Sequence, residues 1–213
     1  MSASSILFAT PMYGGQCTEP FFHSAMRTIH DLVIVGLDYD WLSEKNESLV
    51  HRARMEMTAT FLKTDHSHLF WIDADMEWEP KHVATLWNLQ TDIAVGLYSM
   101  KRNDMPLSAW KDGKLVRIED CPSEPFPVDY AGTGFMLIRR NVIEKLSELS
   151  PKWDGANGPV PAIFMTPIHN GILESEDYHF CRIAREAGFK IIADPSIKLG
   201  HWGSYRYGPD RPA

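Results

Sequence analysis

Hydrophobic positions in this chain come as short continuous runs separated by helical stripes. Ser5-Ile-Leu-Phe-Ala-Thr is apolar and closed by Pro11 and Gly14-Gly15, the pattern of a strand buried on both faces. Over residues 19–32, Phe22, Ala25, Met26 and Ile29 fall on one helical face, and Val33-Ile-Val-Gly-Leu predicts a second strand ending at Asp38. Residues 47–62 predict a second helix with Val50, Ala53, Met57 and Phe61 toward the sheet. Leu69-Phe-Trp-Ile is a third strand, Pro80 opens a third helix that buries Val83, Leu86 and Trp87, and residues 93–98 form a fourth strand. This alternation of strand and helix is the order of a parallel sheet with right-handed crossovers.

The pattern then changes. Asp112-Gly113 sits between Leu107-Ser-Ala-Trp and Lys114-Leu-Val-Arg-Ile, a strong hairpin signal. Phe126-Pro-Val-Asp-Tyr and Phe135-Met-Leu-Ile predict two more strands, separated by Ala131-Gly132-Thr133-Gly134, and a helix starts after Arg140. Residues 153–170, rich in Pro and Gly, read as a long functional loop. Residues 176–187 predict a helix stopped by Gly188, with Phe180, Ile183, Ala184 and Ala187 inward, and residues 189–194 a last strand.

The chain has 213 residues, 44% hydrophobic and 23% charged, and a net charge of −7 with no basic block. One soluble domain or a small two-lobed unit is expected, and a nucleic-acid partner is not, because phosphate backbones need a positive surface. Three scattered cysteines argue for a reducing compartment rather than a disulfide framework or zinc knuckle. No apolar run reaches the roughly 18 residues of a membrane span, so a cytoplasmic protein without a transmembrane segment is expected. The ending Tyr-Gly-Pro-Asp-Arg-Pro-Ala carries no stop signal, which leaves room for further domains.

The strand at Leu69–Ile72 runs directly into Asp73-Ala74-Asp75. Residues two apart on an extended chain share a side, and open α/β sheets bind ligands at strand carboxyl ends. Two carboxylates there need a cation or a shared proton, and Mg²⁺ or Mn²⁺ shared with substrate phosphates serves. Taken alone, Asp-x-Asp fits a polar turn with Asp75 capping the next helix better; the apolar strand before it and the groups downstream reverse that. Gly132-Thr133-Gly134 marks a close backbone approach or a tight bend. Glu174-Ser-Glu176-Asp177 clusters acids at a helix start, where capping explains Ser175 and one acid but not all three. His201, between glycines after the last strand and away from any regular element, is a candidate metal ligand. Arg54 shares a helix face with His51 and either grips a phosphate or is solvated. Tyr205, Arg206 and Tyr207 among glycines predict a mobile flap over a diphosphate, with Arg206 offsetting leaving-group charge.

Taken in order, the strand with Asp-x-Asp, Gly-Thr-Gly-Phe-Met-Leu-Ile-Arg-Arg, Ser-Glu-Asp at a helix start and a late histidine resemble the GT-A nucleotide-sugar glycosyltransferases. The resemblance covers nearly the whole chain and extends to the small glycosyltransferase domains of large algal DNA viruses (chloroviruses), for which host cytoplasm is the expected location. It implies an α/β GT-A (Rossmann-like) fold, with a mostly parallel central sheet, flanking helices and a smaller antiparallel acceptor-side subsheet. It also implies a single domain over 1–213, with a donor-binding half of about 1–100 and an acceptor-side half of about 101–213. By this resemblance Asp75 and His201 bind Mn²⁺ or Mg²⁺, and Asp73 contacts the donor ribose with Ala74 between them. Thr10, Pro11, Tyr13 and Asp38 flank the base of a UDP-sugar, Arg54 lies near the nucleotide, and Gly132, Thr133 and Gly134 lie near the sugar. Asp177, with Glu176 as the alternative, supplies the base of an inverting transfer to a glycan or other hydroxyl acceptor. Where the family commonly has Ala-Arg-Asn in its second helix, this chain has Ala53-Arg54-Met55.

Two other classes use parts of this pattern. A haloacid-dehalogenase-type phosphoryl transferase also places Asp-x-Asp after a strand, but Glu77 stands where Thr or Val follows the nucleophile. A non-catalytic sugar-binding module would need no Glu176-Asp177 pair. Nucleotidyltransferases share the sheet but need a basic glycine-rich loop, which Gly14-Gly15 does not provide.

Overall fold

The computed structural model describes residues 4–102 and 104–208. In chain order, β1 (Ser5–Met12), α1 (Glu19–Val35), β2 (Asp38–Lys45), α2 (Val50–Phe61) and β3 (His68–Ile72) are followed by the short β4 (Met76–Glu77), α3 (Pro80–Asn88) and β5 (Ile93–Gly96). Next come β6 (Ala109–Lys111), β7 (Lys114–Leu115), β8 (Phe126–Pro127), β9 (Tyr130–Ala131), β10 (Phe135–Arg139) and α4 (Arg140–Leu149). The chain continues through β11 (Lys152–Gly155), β12 (Gly158–Pro161), β13 (Ile168–His169), β14 (Ile172–Leu173), α5 (Glu176–Glu186), β15 (Ile191–Asp194), β16 (Gly200–Trp202) and β17 (Arg206–Tyr207).

Seven strands form the central sheet in the order β2-β1-β3-β10-β5-β15-β8. β2, β1 and β3 are parallel, as are β5 and β15, while β10 runs antiparallel between β3 and β5. Alternate side chains of β3 enter the two cores: Leu69 and Trp71 pack with Met55, Met136 and Phe180, and Phe70 and Ile72 with Phe8, Phe135 and Leu137. Burial on both faces is why these strands are continuous apolar runs rather than alternating ones. Small antiparallel sheets, β7-β6-β9 and β17-β16-β4, sit outside the main sheet. Among the described residues no helix is long and apolar enough to cross a membrane.

Four expectations are corrected. Val33, Ile34 and Val35 are not a strand but the exposed last turn of α1. Thr18 caps that helix at its start, and Gly36 ends it at φ 70° with its N–H on Leu32 and Val33 carbonyls. The second strand is the polar edge segment Asp38–Lys45, so Asp38 opens it instead of closing it. Val50 is exposed rather than facing the sheet, whereas Arg54 on the same helix is buried. Residues 153–170 are not a structureless loop: they hold nearly all of the β11–β12 hairpin and the first strand of the β13–β14 hairpin. The Asp112-Gly113 hairpin forms as expected, with both residues at positive φ. All three cysteines are free.

Candidate functional site

β3 and β10 meet where the acids emerge. The Asp73 N–H donates to Gly134 O at 3.1 Å, and the Met76 N–H turns back onto Asp73 O at 3.1 Å. Asp73-Ala74-Asp75 is therefore a turn rather than extended strand, and its two carboxylates go to different cations. Asp73 accepts from Arg54 Nη2 at 2.7 Å, whereas Asp75 pairs with Lys101 and lies 3.5 Å from His201 Nε2. Ala74 contributes its carbonyl to the Thr18 N–H, 2.9 Å away, which moors the start of α1 to this turn.

His201 lies within a regular element, contrary to expectation: β16 pairs with β4 so that His201 faces Met76 across the ladder. The neighbouring Trp202 N–H donates to Asp75 O at 2.8 Å, tying β16 to the acid turn. His201 Nδ1 is 2.9 Å from Ser99 O. A carbonyl can only accept, so Nδ1 carries a proton, and Nε2 is the ring nitrogen left facing Asp75, with a lone pair to offer in the neutral ring. This is the outer hydrogen bond that metal-binding histidines use to fix their tautomer. Asp75 Oδ1 is buried and makes no hydrogen bond. Burial pushes the Asp75 carboxyl upward, but His201 in its cationic form and Lys101 outweigh it and hold the group below the usual range. An anionic oxygen without a partner beside an imidazole lone pair suits a divalent cation. Among the described residues no cluster of three or more His, Cys, Asp or Glu is placed to hold one, so substrate oxygens or water would complete the shell.

On the far side of Arg54 stands the acid-rich start of α5. Glu174 has a structural role, bound by Arg182 at 2.9 Å and 3.3 Å from His179 Nδ1. Glu176 lies 3.6 Å from Arg54 Nε. Burial alone would disfavour the Arg54 charge, yet Asp73 and Glu176 raise its pKa, and its Nη1 keeps a buried N–H without a hydrogen bond. Asp177 accepts from Ser175 Oγ and from its Tyr178 neighbour's N–H. Burial first, then the adjacent Glu176 charge, raise Asp177 to about 6. The Tyr98 hydroxyl is pushed well up by burial and by the charges of Asp73 and Asp177, so it is neutral and shares one electrostatic neighbourhood with both acids.

The close approach signalled by Gly132 and Gly134 is to Tyr98. A Cβ on Gly132 would stand 2.2 Å from the Tyr98 hydroxyl, and one on Gly134 would stand 2.9 Å from it. The Gly134 N–H donates to that hydroxyl at 3.2 Å, and Thr133 between the glycines is buried. Tyr98 and Lys101 are the residues sequence reasoning missed. Lys101 carries no motif, but Tyr98 ends the predicted fourth strand, where chemistry was to be sought.

The remaining expectations divide. The β1–β3 register, Ala9 opposite Trp71, puts Thr10 and Pro11 level with the carboxyl end of β3. Thr10 is buried with its hydroxyl accepting from Trp41 Nε1 at 3.1 Å, and Tyr13 just beyond is exposed. Asp38 pairs with Ser5 at the opposite end of the sheet, because the strand starts there. The positions of β2 level with Thr10 and Pro11 are Ser43 and Glu44. Arg206 does not lie in a free flap. It belongs to β17, paired with β16, and its Nε bonds Glu77 Oε2 at 2.6 Å. Tyr205 and Tyr207 stack with centroids 4.2 Å apart. Residues 209–213 of that segment lie outside the described residues.

No protein-family model matches the chain, and no curated protein matches it. Solved structures do. A197 from STIV overlays with a TM-score of 0.62 at 21% identity, covering 98% of this chain and 92% of that one. GalNAc-T7 with UDP, GalNAc and Mn²⁺ overlays with a TM-score of 0.56 at 13% identity, covering 97% of this chain and 45% of that one. A glycosyltransferase involved in glycosylation of the major capsid of PBCV-1 overlays only loosely, with a TM-score of 0.39, 13% identity and 66% of this chain covered. The class these findings define is a fold: a GT-A α/β domain, the architecture of nucleotide-sugar glycosyltransferases. This chain matches A197 over nearly the full length of both chains, and the smaller part of GalNAc-T7 that it matches spans nearly all of this chain.

Proposed function

We propose that the protein is a divalent-metal-dependent glycosyltransferase that moves a sugar from a UDP-sugar to a glycan or other hydroxyl acceptor with inversion. In this reading residues 1–213 act as one GT-A domain, with the donor bound by about residues 1–100 and the acceptor by about 101–213. The observation that carries it is His201: its Nδ1 is spent on Ser99 O, leaving Nε2 beside Asp75 Oδ1, which makes no hydrogen bond, just past the carboxyl end of β3 in a GT-A sheet.

Asp75 and His201 would hold Mn²⁺ or Mg²⁺, the imidazole nitrogen favouring Mn²⁺. When bound, the ion supplies Lewis-acid stabilisation of the departing diphosphate. Asp73, oriented by Arg54, accepts from a ribose hydroxyl, and Arg54 Nη1 has a donor left for the nucleotide. Thr10, Pro11 and Tyr13 flank the base, and the polar role expected of Asp38 passes to Ser43 or Glu44 at the correct end of β2. Gly132, Thr133 and Gly134, packed on Tyr98, form a wall near the sugar. Asp177 removes the proton of the acceptor hydroxyl while that oxygen bonds to the anomeric carbon, and the carbon–oxygen bond to the diphosphate breaks with its electron pair on the phosphate. With a pKa of about 6, Asp177 is mostly ionised at neutral pH and still basic enough to accept the proton. Glu176, held toward Arg54, helps to keep that basicity raised. Arg206, tied to Glu77, stiffens β16 behind His201.

The test needs no acceptor. A panel of UDP-sugars incubated with Mn²⁺ should show slow hydrolysis of one donor, abolished by Asp75→Asn together with Mn²⁺-dependent UDP binding. Once an acceptor is found, NMR should show inverted anomeric configuration. No hydrolysis of any donor with unchanged UDP binding in Asp75→Asn would defeat the metal-site reading, and a retained configuration would defeat the role of Asp177.

A further inference from the structure

Lys101 takes no part in the reaction set out above, yet its ammonium is paired with Asp75 Oδ2. The side chain is led there. A Cβ on Gly203 would stand 3.3 Å from Lys101 Cδ, so the lysine stem lies across that glycine, in the turn after β16. The loop that carries it is pinned next door, where the Met100 N–H donates to Pro106 O at 2.8 Å. On the other Asp75 oxygen, His201 Nε2 is 3.5 Å away and no hydrogen bond forms. The carboxylate that would hold a divalent ion thus already has a monovalent cation on one side and the imidazole Nε2 of His201 on the other. Two cations competing for one carboxylate cannot both be at full strength. Lysine, a point charge on a flexible stem, can withdraw without disturbing the backbone.

We propose that Lys101 is the resident counter-ion of this site. It neutralises Asp75 in the metal-free protein and is displaced when a divalent ion binds. The proposal rests on the metal reading of Asp75 and His201. It means that the acid turn is held in shape before metal arrives, that metal affinity is set lower than the ligands alone would give, and that the displaced ammonium stays within reach of a bound diphosphate.

The probe is Mn²⁺ alone, with unbound Mn²⁺ counted by electron paramagnetic resonance at fixed pH and no nucleotide present. Lys101→Met keeps the stem and removes the charge. It should bind Mn²⁺ about tenfold more tightly, about 1.4 kcal/mol, and its metal-free form should melt below the wild type while the Mn²⁺-loaded forms melt together. Lys101→Arg, which keeps the charge, should stay at or below wild-type affinity. Equal or weaker Mn²⁺ binding by Lys101→Met, with the wild type still binding and Asp75→Asn not, overturns the role of Lys101 and leaves the metal site standing. No Mn²⁺ uptake by wild type or Lys101→Met overturns both.

Discussion

Asp177→Asn should make the protein more stable and nearly inactive, two effects of opposite sign from one atom. In the folded state burial, reinforced by Glu176, raises this carboxyl from 3.8 to about 6. Between about pH 4 and pH 6 the folded protein therefore binds more protons here than the unfolded chain does, and stability falls as pH rises through that window. A shift of about two units corresponds to about 3 kcal/mol. Part of the side chain still meets water, so about 2 kcal/mol is the expected size. In the variant this term disappears, while the amide oxygen can still accept from the Tyr178 N–H that Asp177 holds at 2.8 Å. Urea unfolding of both proteins should give a difference near zero at about pH 4 that grows to about 2 kcal/mol in favour of the variant above about pH 7. For a domain of this size that is about 4–8 °C in melting temperature. Turnover should fall by roughly 10²-fold or more with UDP-sugar binding retained, and wild-type turnover should fall as pH drops through about 6 and the base is protonated. A stability difference that does not change with pH, or a variant less stable at neutral pH, would refute the reasoning. Full turnover in the variant would remove Asp177 from the chemistry.

Three further outcomes follow from the geometry. Arg54→Met keeps bulk but leaves Asp73 and Glu176 without their cation, and should cost about 3 kcal/mol or more in urea unfolding; unchanged stability would mean the pair is not load-sharing in the fold. Gly132→Ala sets a methyl 2.2 Å from the Tyr98 hydroxyl, for which about 1–3 kcal/mol is expected. Tyr98→Phe in the same chain should recover part of that loss, and strict additivity of the two substitutions would show that they do not meet. Asp38→Asn, at the far end of the sheet from Asp73, should leave UDP affinity within about twofold by calorimetry, whereas Glu44→Gln should weaken it if β2 contributes to base recognition.

The parts of the fold that are legible in the sequence are those where one physical demand dominates. Leu69–Ile72 must be apolar throughout because both faces are covered, and a pair of acids directly after such a strand has few structural uses. Val33–Val35 misleads for a comparable reason: three β-branched residues fit a buried strand, but here they end a helix whose limit is set by Gly36. Shifting the second strand past that glycine is what carries Asp38 to the wrong end of the sheet. The β11–β12 and β13–β14 hairpins were within reach, since Asn157-Gly158 and Asn170-Gly171 carry the same signal as Asp112-Gly113. Their Pro-rich surroundings hide it. The tautomer of His201 was not within reach, because it depends on a carbonyl at Ser99, and a carbonyl belongs to every residue. Lys101 is silent for the same reason: a lysine in a polar loop has no pattern, and only the packing across Gly203 gives it a direction.

The reversed course of β10 has a consequence for where this fold can take insertions. Because β10 runs against β5, the segment 97–134 starts and finishes at the same end of these two strands, with Gly96 packed directly against Phe135, and between them it lends β8 to the sheet edge beside β15. Its two ends are therefore anchored about one strand spacing apart, whatever lies between them. Closing such a loop becomes only slightly harder as it lengthens. The surface stretch 117–125 within this excursion can thus lengthen or shorten while β3, β5 and β10 stay in register and Tyr98, Ser99, Lys101 and residues 132–134 keep their places. Insertions there reshape the surface beside the site while the residues that build it stay in place.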